Sequence, residues 1–447
     1  MLSLLHTSDW HLGRRLHGMA RYAEFERFLA WQVAALRAQA IDVLLIAGDI
    51  FDTMTPSARA QALYYNFLVQ AAQICRHVVV VGGNHDSANF LNAPKPLLKA
   101  FDIHVIGSIS DTRRDDLLVL NDCDGVPELI VLAVPYLRDR DIRQVSAGES
   151  LADKSQKLKH GITQHYGEMT ELAKAEQARI LAAYGRHVPL VGTGHLFTAG
   201  GSTGDGVREL YVGSLAHVGA DIFDSALDYV ALGHLHLPQT VAGQARIRYS
   251  GSPIAMGFGE LKHDKLVHIV RFGEAVALDD FLAHAAANLT PDTPKDLALQ
   301  PFAHERLSPT VLLESLRVPV FQRLARVSGD WQTIAKALED LKQSGEVVWL
   351  EVTYTGDEAL PDFVGQVDAL VADSRLLVLK KINQTESTAI LHAQTPDESL
   401  QDLDVHEVFE RRLAVSHTSD AQKDMLRALY AEVLTRMQDS GTQIAQS

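Results

Sequence analysis

The feature that most limits what this chain can become is a repeated ending. "MLSLL" leads into "HTSDWHLG", "IDVLLIAGD" ends at Asp49, "HVVVVGGNHD" at Asn84 and His85, "VPLVGTGH" at His195, and "LDYVALGH" at His234 with His236 just beyond. Short apolar runs bounded by turn residues read as strands buried on both faces. Between them, stretches such as 21–38 and 57–74 carry apolar positions three and four apart and read as helices. Alternation of this kind implies an α/β layered core, and in such cores ligands gather at the carboxyl ends of strands. Most of these donors follow a glycine closely, which suits a chain turning sharply with no side chain in the way.

One such ending is ordinary turn chemistry, but the same grammar at strand after strand points to a shared site. The donors are carboxylates, one amide oxygen and several imidazoles, and the chain has only Cys75 and Cys123. That excludes a disulfide framework and a thiolate zinc site. The set suits Mn, Fe or Zn and argues against a copper-thiolate or iron-sulfur centre. Asp9 and His11 read as two ligands of one metal, projected from a strand end. Two metals about 3.5–4 Å apart need an anion between them, and Asp49 is the best candidate for that bridge.

With 447 residues, 47% of them apolar and 22% charged, the chain allows one large domain and one or two small ones. Its net charge of −15 argues against non-specific coating of nucleic acid. A local basic groove stays possible, with Arg14/Arg15 and Arg138, Arg140 and Arg143 as clusters whose plainer reading is a solvated face. No stretch approaches the roughly 18 apolar residues of a membrane span, and the opening run is too short for a signal segment, so a cytoplasmic protein is expected. Residues 1–282 are expected to form the α/β domain, and 283–310, with "NLTPDTPKD", a boundary. A β-α-β-α-β unit is expected at 311–383, a polar linker at 384–401, and a helical segment at 402–440. In the last, Val405, Val408, Phe409 and Leu413 recur at helical spacing as an apolar stripe for a partner.

Taken together, "DWH", "GDIFD", "GGNHD", "GHL" and "GHLH" resemble the five-part signature of the calcineurin-like metallophosphoesterases. "PYLRDRDI", "VRELYVGS", "YSGSPIAMGF" and the tail motif "EVFERRL" are similar to those of the nuclease subunits in that superfamily that work with an SMC-like ATPase. The resemblance implies a layered β-sandwich flanked by helices, a small α+β capping domain and a C-terminal helical tail that binds the partner. It implies one manganese ion held by Asp9, His11, Asp49 and His236, and a second held by Asp49, Asn84, His195 and His234. His85 would protonate the leaving group, oriented by Asp86.

The implied activity is an ATP-gated double-strand exonuclease and endonuclease acting on DNA ends and hairpins in repair, recombination and replication at the nucleoid. A homodimer within a heterotetramer is implied too, with Leu63, Tyr64, Phe67 and Leu68 supplying an apolar face between copies. Protein phosphatases of the superfamily resemble "GDxVDRG" and "GNHE", where this chain has "GDIFD" and "GNHD". A non-catalytic scaffold would lack a ligand, and none is missing.

Overall fold

Strands as apolar as "VLLIA" and "VVVV" must be covered on both faces, and alternate residues along them go to different layers. In Val43–Ala47 and His77–Val81, the side chains of Leu44, Ile46, Val78 and Val80 join one core, and those of Val43, Leu45, Ala47, Val79 and Val81 join another. The computed structural model describes residues 1–142, 149–198, 218–285, 299–358, 360–384, 409–410, 413 and 423–430. The chain divides into two units, Met1–Ala325 with Val347–Trp349, and Arg326–Glu346 with Leu350–Ser447.

The first unit is a sandwich of two sheets. One has seven strands in the order Gln300–Ser308, Val311–Arg317, Leu266–Phe272, Leu2–Thr7, Val43–Ala47, His77–Val81, Ile103–Ile106. Its last four strands run parallel, and the first three add antiparallel. The other has six strands, with Pro127–Leu132, Leu190–His195, Tyr229–Gly233 and Gln244–Tyr249 parallel at its centre. Leu4, Leu45 and Val79 meet Val131, Val191 and Ala231 between the sheets.

Helices Tyr22–Ala38 and Ala58–Ala72 cover the outer face of the seven-stranded sheet through Phe25, Phe28, Tyr64 and Phe67. Leu151–Tyr184 covers the other sheet through Ile162, Tyr166 and Met169. The architecture is therefore the expected α/β layered β-sandwich flanked by helices.

Two expectations change. The seven-stranded sheet runs on to Arg317, past the boundaries placed at 282 and 311. Val311–Arg317 pairs with Leu266–Phe272 along its whole length, and its buried Glu314 is joined to Arg271 of that strand. Gln300–Ser308 is an exposed edge strand, so it needs no apolar alternation and reads as a linker. The apolar face expected between copies is also occupied within the chain. Tyr64, Phe67 and Leu68 are buried, with the Phe67 ring 5.1 Å from Trp10 and the Tyr64 ring 5.3 Å from Phe51.

The elements from Arg323 onward follow the β-α-β-α-β reading. Arg323–Gly329, Val348–Tyr354 and Leu376–Asn383 form a three-stranded sheet, with helices Trp331–Gln343 and Phe363–Val371 in the connections. Asp330 caps the first helix by accepting from the Thr333 N–H. In the tail, Phe409 stacks on Tyr430 with ring centroids 3.8 Å apart, and Glu410 meets Arg427 at 2.9 Å. Part of the stripe expected to await a partner thus packs on the helical residues 423–430 of the same chain. Val405, Val408 and the "VRELYVGS" stretch lie outside the described residues. Among the described residues no helix is long and apolar enough to cross a membrane.

Candidate metal centre

The donor-bearing strand ends lie at one edge of the sandwich because the two sheets are tied together there. Asp9 N–H donates to Gly48 O at 3.0 Å and His11 N–H to Asp49 O at 3.0 Å, which locks the first two strand ends side by side. The His195 ring crosses from the second sheet and donates from Nδ1 to Ala47 O at 3.0 Å. His234 N–H donates to the Asp9 carboxylate at 2.9 Å. The turns are made largely by the donors themselves: Asp9 (φ 54°), His11 (φ 48°), Asp49 (φ 50°) and His234 (φ 104°) all have left-handed backbone. Such conformations cost on the order of 1–3 kcal/mol each and persist where surrounding structure enforces them. The glycines mostly make room instead. A Cβ on Gly83 would strike the Asp49 carboxylate, and one on Gly48 the His195 ring.

Seven of the expected donors come together in two interlocked groups. Asp9, His11 and His236 form one, and Asp49, His195 and His234 the other; in each, the ligand atoms lie within 4.8 Å of one another. Asp49 Oδ2 stands between them, 3.6 Å from His11 Nε2 and 3.3 Å from His195 Nε2. Asn84 Oδ1 is 3.0 Å from His195 Nε2, which puts the amide in the second group. His85 lies beside the first, its ring 4.8 Å from that of His11 and its Nδ1 2.9 Å from Asp52 O.

The structure gives the His85 ring a partner other than the expected one. Asp86 does not hold its ring: the carboxylate is taken up by the N–H groups of Gly83, Ile50 and Phe51 at 2.8, 3.2 and 3.0 Å. Three strong backbone donors outbid a side-chain contact, and Asp86 fastens the Asp49 and Asn84 loops to each other.

These residues fit divalent ions. His11 Nε2 and His236 Nε2 face each other at 3.2 Å, a pairing that shares at best one proton and that a cation between them relieves. Burial holds His11 down at about 4 and His234 well below its usual value, so both are neutral with lone pairs to give. Burial drives the Asp9 carboxyl up to about 6, although His195 and His236 pull the other way. For Asp49, burial is outweighed by His195 and His11, which hold it well below the usual carboxylate range. A buried site with two carboxylates, one of them forced toward neutrality, is short of positive charge, and bound cations supply it.

Sequence reasoning missed the residues that support this shell. Glu260 Oε1 is 3.4 Å from His236 Nδ1, and Lys265 Nζ is 2.5 Å from Glu260 Oε2 and 3.1 Å from His236 O. Asp52 Oδ1 is 3.3 Å from His11 Nδ1 and 3.1 Å from Arg14 Nη1, so this arginine belongs to the site and not to a bare solvated face. Ser8 donates to Asp9 at 2.5 Å and shares a 2.8 Å hydrogen bond with Ser250. Asp52 and Ser250 stand inside "GDIFD" and "YSGSPIAMGF", so the signal was there. Glu260 sits on a short turn with no strand end to flag it.

A double sheet with paired Asp/His groups at one edge defines the class. The calcineurin-like phosphoesterase family matches residues 2–238, and the type 5 capsule protein repressor C-terminal domain matches 320–417. The D subunit of nuclease SbcCD from Escherichia coli (strain K12) is 33% identical over 439 residues, covering 97% of this chain and 98% of that one. Its Rhodobacter capsulatus counterpart is 36% identical over 275 residues, 59% of this chain and 64% of the relative. That of Bacillus subtilis is 33% identical over 272 residues, 60% and 66%. The protein is a calcineurin-like phosphoesterase, an enzyme class built around a divalent-metal site. Within it, the chain belongs to the family of the nuclease SbcCD D subunits.

Proposed function

We propose that this chain is the catalytic subunit of a two-component DNA nuclease, manganese-dependent and acting on double-strand ends and hairpins as exonuclease and endonuclease. An SMC-like ATPase, the C subunit of an SbcCD complex, gates it with ATP. Two copies pair within a heterotetramer that serves DNA repair and recombination in the cytoplasm, at the nucleoid. The observation that carries this reading is the pair of donor groups sharing Asp49, in a chain aligned over 97% of its length with the D component of a nuclease SbcCD.

Asp9, His11, Asp49 and His236 would hold one ion, and Asp49, Asn84, His195 and His234 the other. When bound, such a pair neutralises charge on a phosphoryl group and makes a water nucleophilic at neutral pH. The chain's own residues do the rest. Asp49 keeps the two donor groups at a fixed separation, and its charged form is secured by His195 and His11. Glu260 and Asp52 orient the His236 and His11 rings through their Nδ1 atoms. His85 donates from Nδ1 to the Asp52 carbonyl, so it is the imidazolium form of the ring, with a second proton on Nε2, that gives a proton to the departing sugar oxygen as the P–O bond breaks and is left as the neutral imidazole. Asp86 acts on this residue only through the loop it braces.

The test pairs two substrates, linear duplex DNA and para-nitrophenyl phosphate, with manganese, with and without the ATPase component and ATP. Duplex cleavage that responds to ATP in the partner's presence is expected. Cleavage of the chromogen with no cut in DNA under any of these conditions would show a small-molecule or protein phosphatase instead.

A further inference from the structure

The first unit holds another group of metal-capable side chains, at the opposite end of its strands from Asn84. His77 opens the strand His77–Val81, and Asp102 and His104 lie at the start of the neighbouring parallel strand Ile103–Ile106. Val79 is the register partner of His104. Because side chains alternate with period two, His77 and His104 project from one face of the sheet, and Asp102, in left-handed backbone, stands at the turn just before the second strand. One ligand atom from each lies within 4.8 Å of the other two. Along the strand the group is roughly 20 Å from Asn84, at about 3.3 Å per residue.

Hydrogen bonding decides which nitrogen of His77 is free. Its Nε2 donates to the Asn121 carbonyl at 2.8 Å, so Nδ1 carries the lone pair, and that atom is buried with no hydrogen-bond partner. His104 Nε2 is buried and unpartnered as well. A ring that gives one N–H to a backbone carbonyl and keeps the other nitrogen free has the tautomer of a ligating histidine. His195 in the candidate metal centre shares the first half of this pattern, its Nδ1 donating to the Ala47 carbonyl, while its Nε2 meets Asn84 and Asp49.

We propose that His77, Asp102 and His104 form a second, non-catalytic metal site for a borderline divalent ion of the zinc type. Two imidazoles and one carboxylate are a donor set that zinc accepts, with water as the fourth ligand. Bonds of about 2.0–2.2 Å to zinc separate tetrahedral ligand atoms by about 3.3 Å, so side-chain tips that lie within 4.8 Å of one another must close by up to about 1.5 Å, and exposed Asp102 can turn to do so. Lys95 and Lys99 add positive charge near His104, which makes Asp102 the ligand whose charge the site most needs. The ion fastens the edge strand to His77–Val81 and, through the His77–Asn121 hydrogen bond, to the second sheet.

The test loads the full-length protein with excess zinc, removes unbound metal and counts zinc per chain by mass spectrometry. The double variant His77→Gln, His104→Gln should hold one zinc per chain fewer than the parent while duplex cleavage with manganese is unchanged. Asp102→Asn keeps both imidazoles and should weaken the extra zinc at least tenfold in competition with a chelator. Equal zinc content in parent and double variant overturns the proposal, and so does an Asp102→Asn protein that competes as the parent does. If the double variant does not fold, the Asp102→Asn competition decides alone.

Discussion

His6 and His11 stand in the same octapeptide, both are fully buried, and they do different things. His6 is a regular strand residue, the register partner of His268 on the antiparallel neighbour. Its Nδ1 meets the Tyr229 hydroxyl at 2.9 Å, and His268 Nδ1 meets the Ser315 hydroxyl at 2.9 Å. His11 has left-handed backbone, and its ring nitrogens face His236, Asp49 and Asp52 at 3.2, 3.6 and 3.3 Å. Burial lowers the pKa of both. A buried, neutral histidine is therefore not by that fact a ligand. What separates the two is strained backbone, and ring nitrogens set against acids and other imidazoles in place of neutral hydroxyls.

The hardest blow to that contrast falls on the acid that both donor groups share. Asp49→Ala should lose the bound metal and slow cleavage by about 10³-fold or more, while His6→Gln should keep the parent's metal content. Metal analysis beside a cleavage assay reads both, and a His6→Gln protein stripped of metal would break the distinction. His85 sharpens it from inside the site. His85→Ala should bind metal and DNA as the parent does yet cut about 10²–10⁴-fold more slowly. If it loses metal instead, its ring is a ligand and the role given to it is wrong.

The contrast also explains what the sequence could disclose. Ligands at strand ends are legible because the strands announce themselves by apolar runs and the fold brings their carboxyl ends to one edge. Supporting residues such as Glu260 are not, since they answer to a ring placed by another part of the chain. Tyr64, Phe67 and Leu68 show the same limit in the core: helical periodicity reveals an apolar face, not what covers it. Adjacency of Asp86 to His85 suggests contact, whereas the Asp86 carboxylate turns back to three backbone N–H groups. The sheet's continuation through Gln300–Arg317 is hidden by an exposed edge strand whose polar residues imitate a linker.

Glu260 tests whether a supporting acid distinguishes a ligating ring from a core one. Glu260→Gln removes the charge beside His236 Nδ1 but keeps a hydrogen-bonding side chain. Losing such a partner should cost about 10–100-fold in metal affinity. A titration of metal against cleavage rate should show the midpoint shifted and the rate at saturating metal nearly restored. An unshifted midpoint would mean that Glu260 serves Lys265 and the turn rather than the ring.

The smallest effect belongs to the core pair, and it appears as pH dependence of folding. Burial, with the charge of Arg248 adding to it, lowers His268 from 6.5 to about 3 in the folded chain. The folded state then binds fewer protons than the unfolded one at this position. Its contribution to stability is complete above about pH 6.5 and is lost progressively as pH falls toward 3. Between pH 7.5 and 5.5 that loss is about 1.4 kcal/mol for one such group. His268→Asn cannot titrate, so whatever it costs in packing at neutral pH, its stability should fall less across that window by about this amount. Urea unfolding of the parent and the variant at both pH values measures the difference. Parallel losses in the two proteins would mean that His268 takes up its proton without unfolding the sheet, and that the core pair is no more fixed in its neutral form than the histidines at the strand ends.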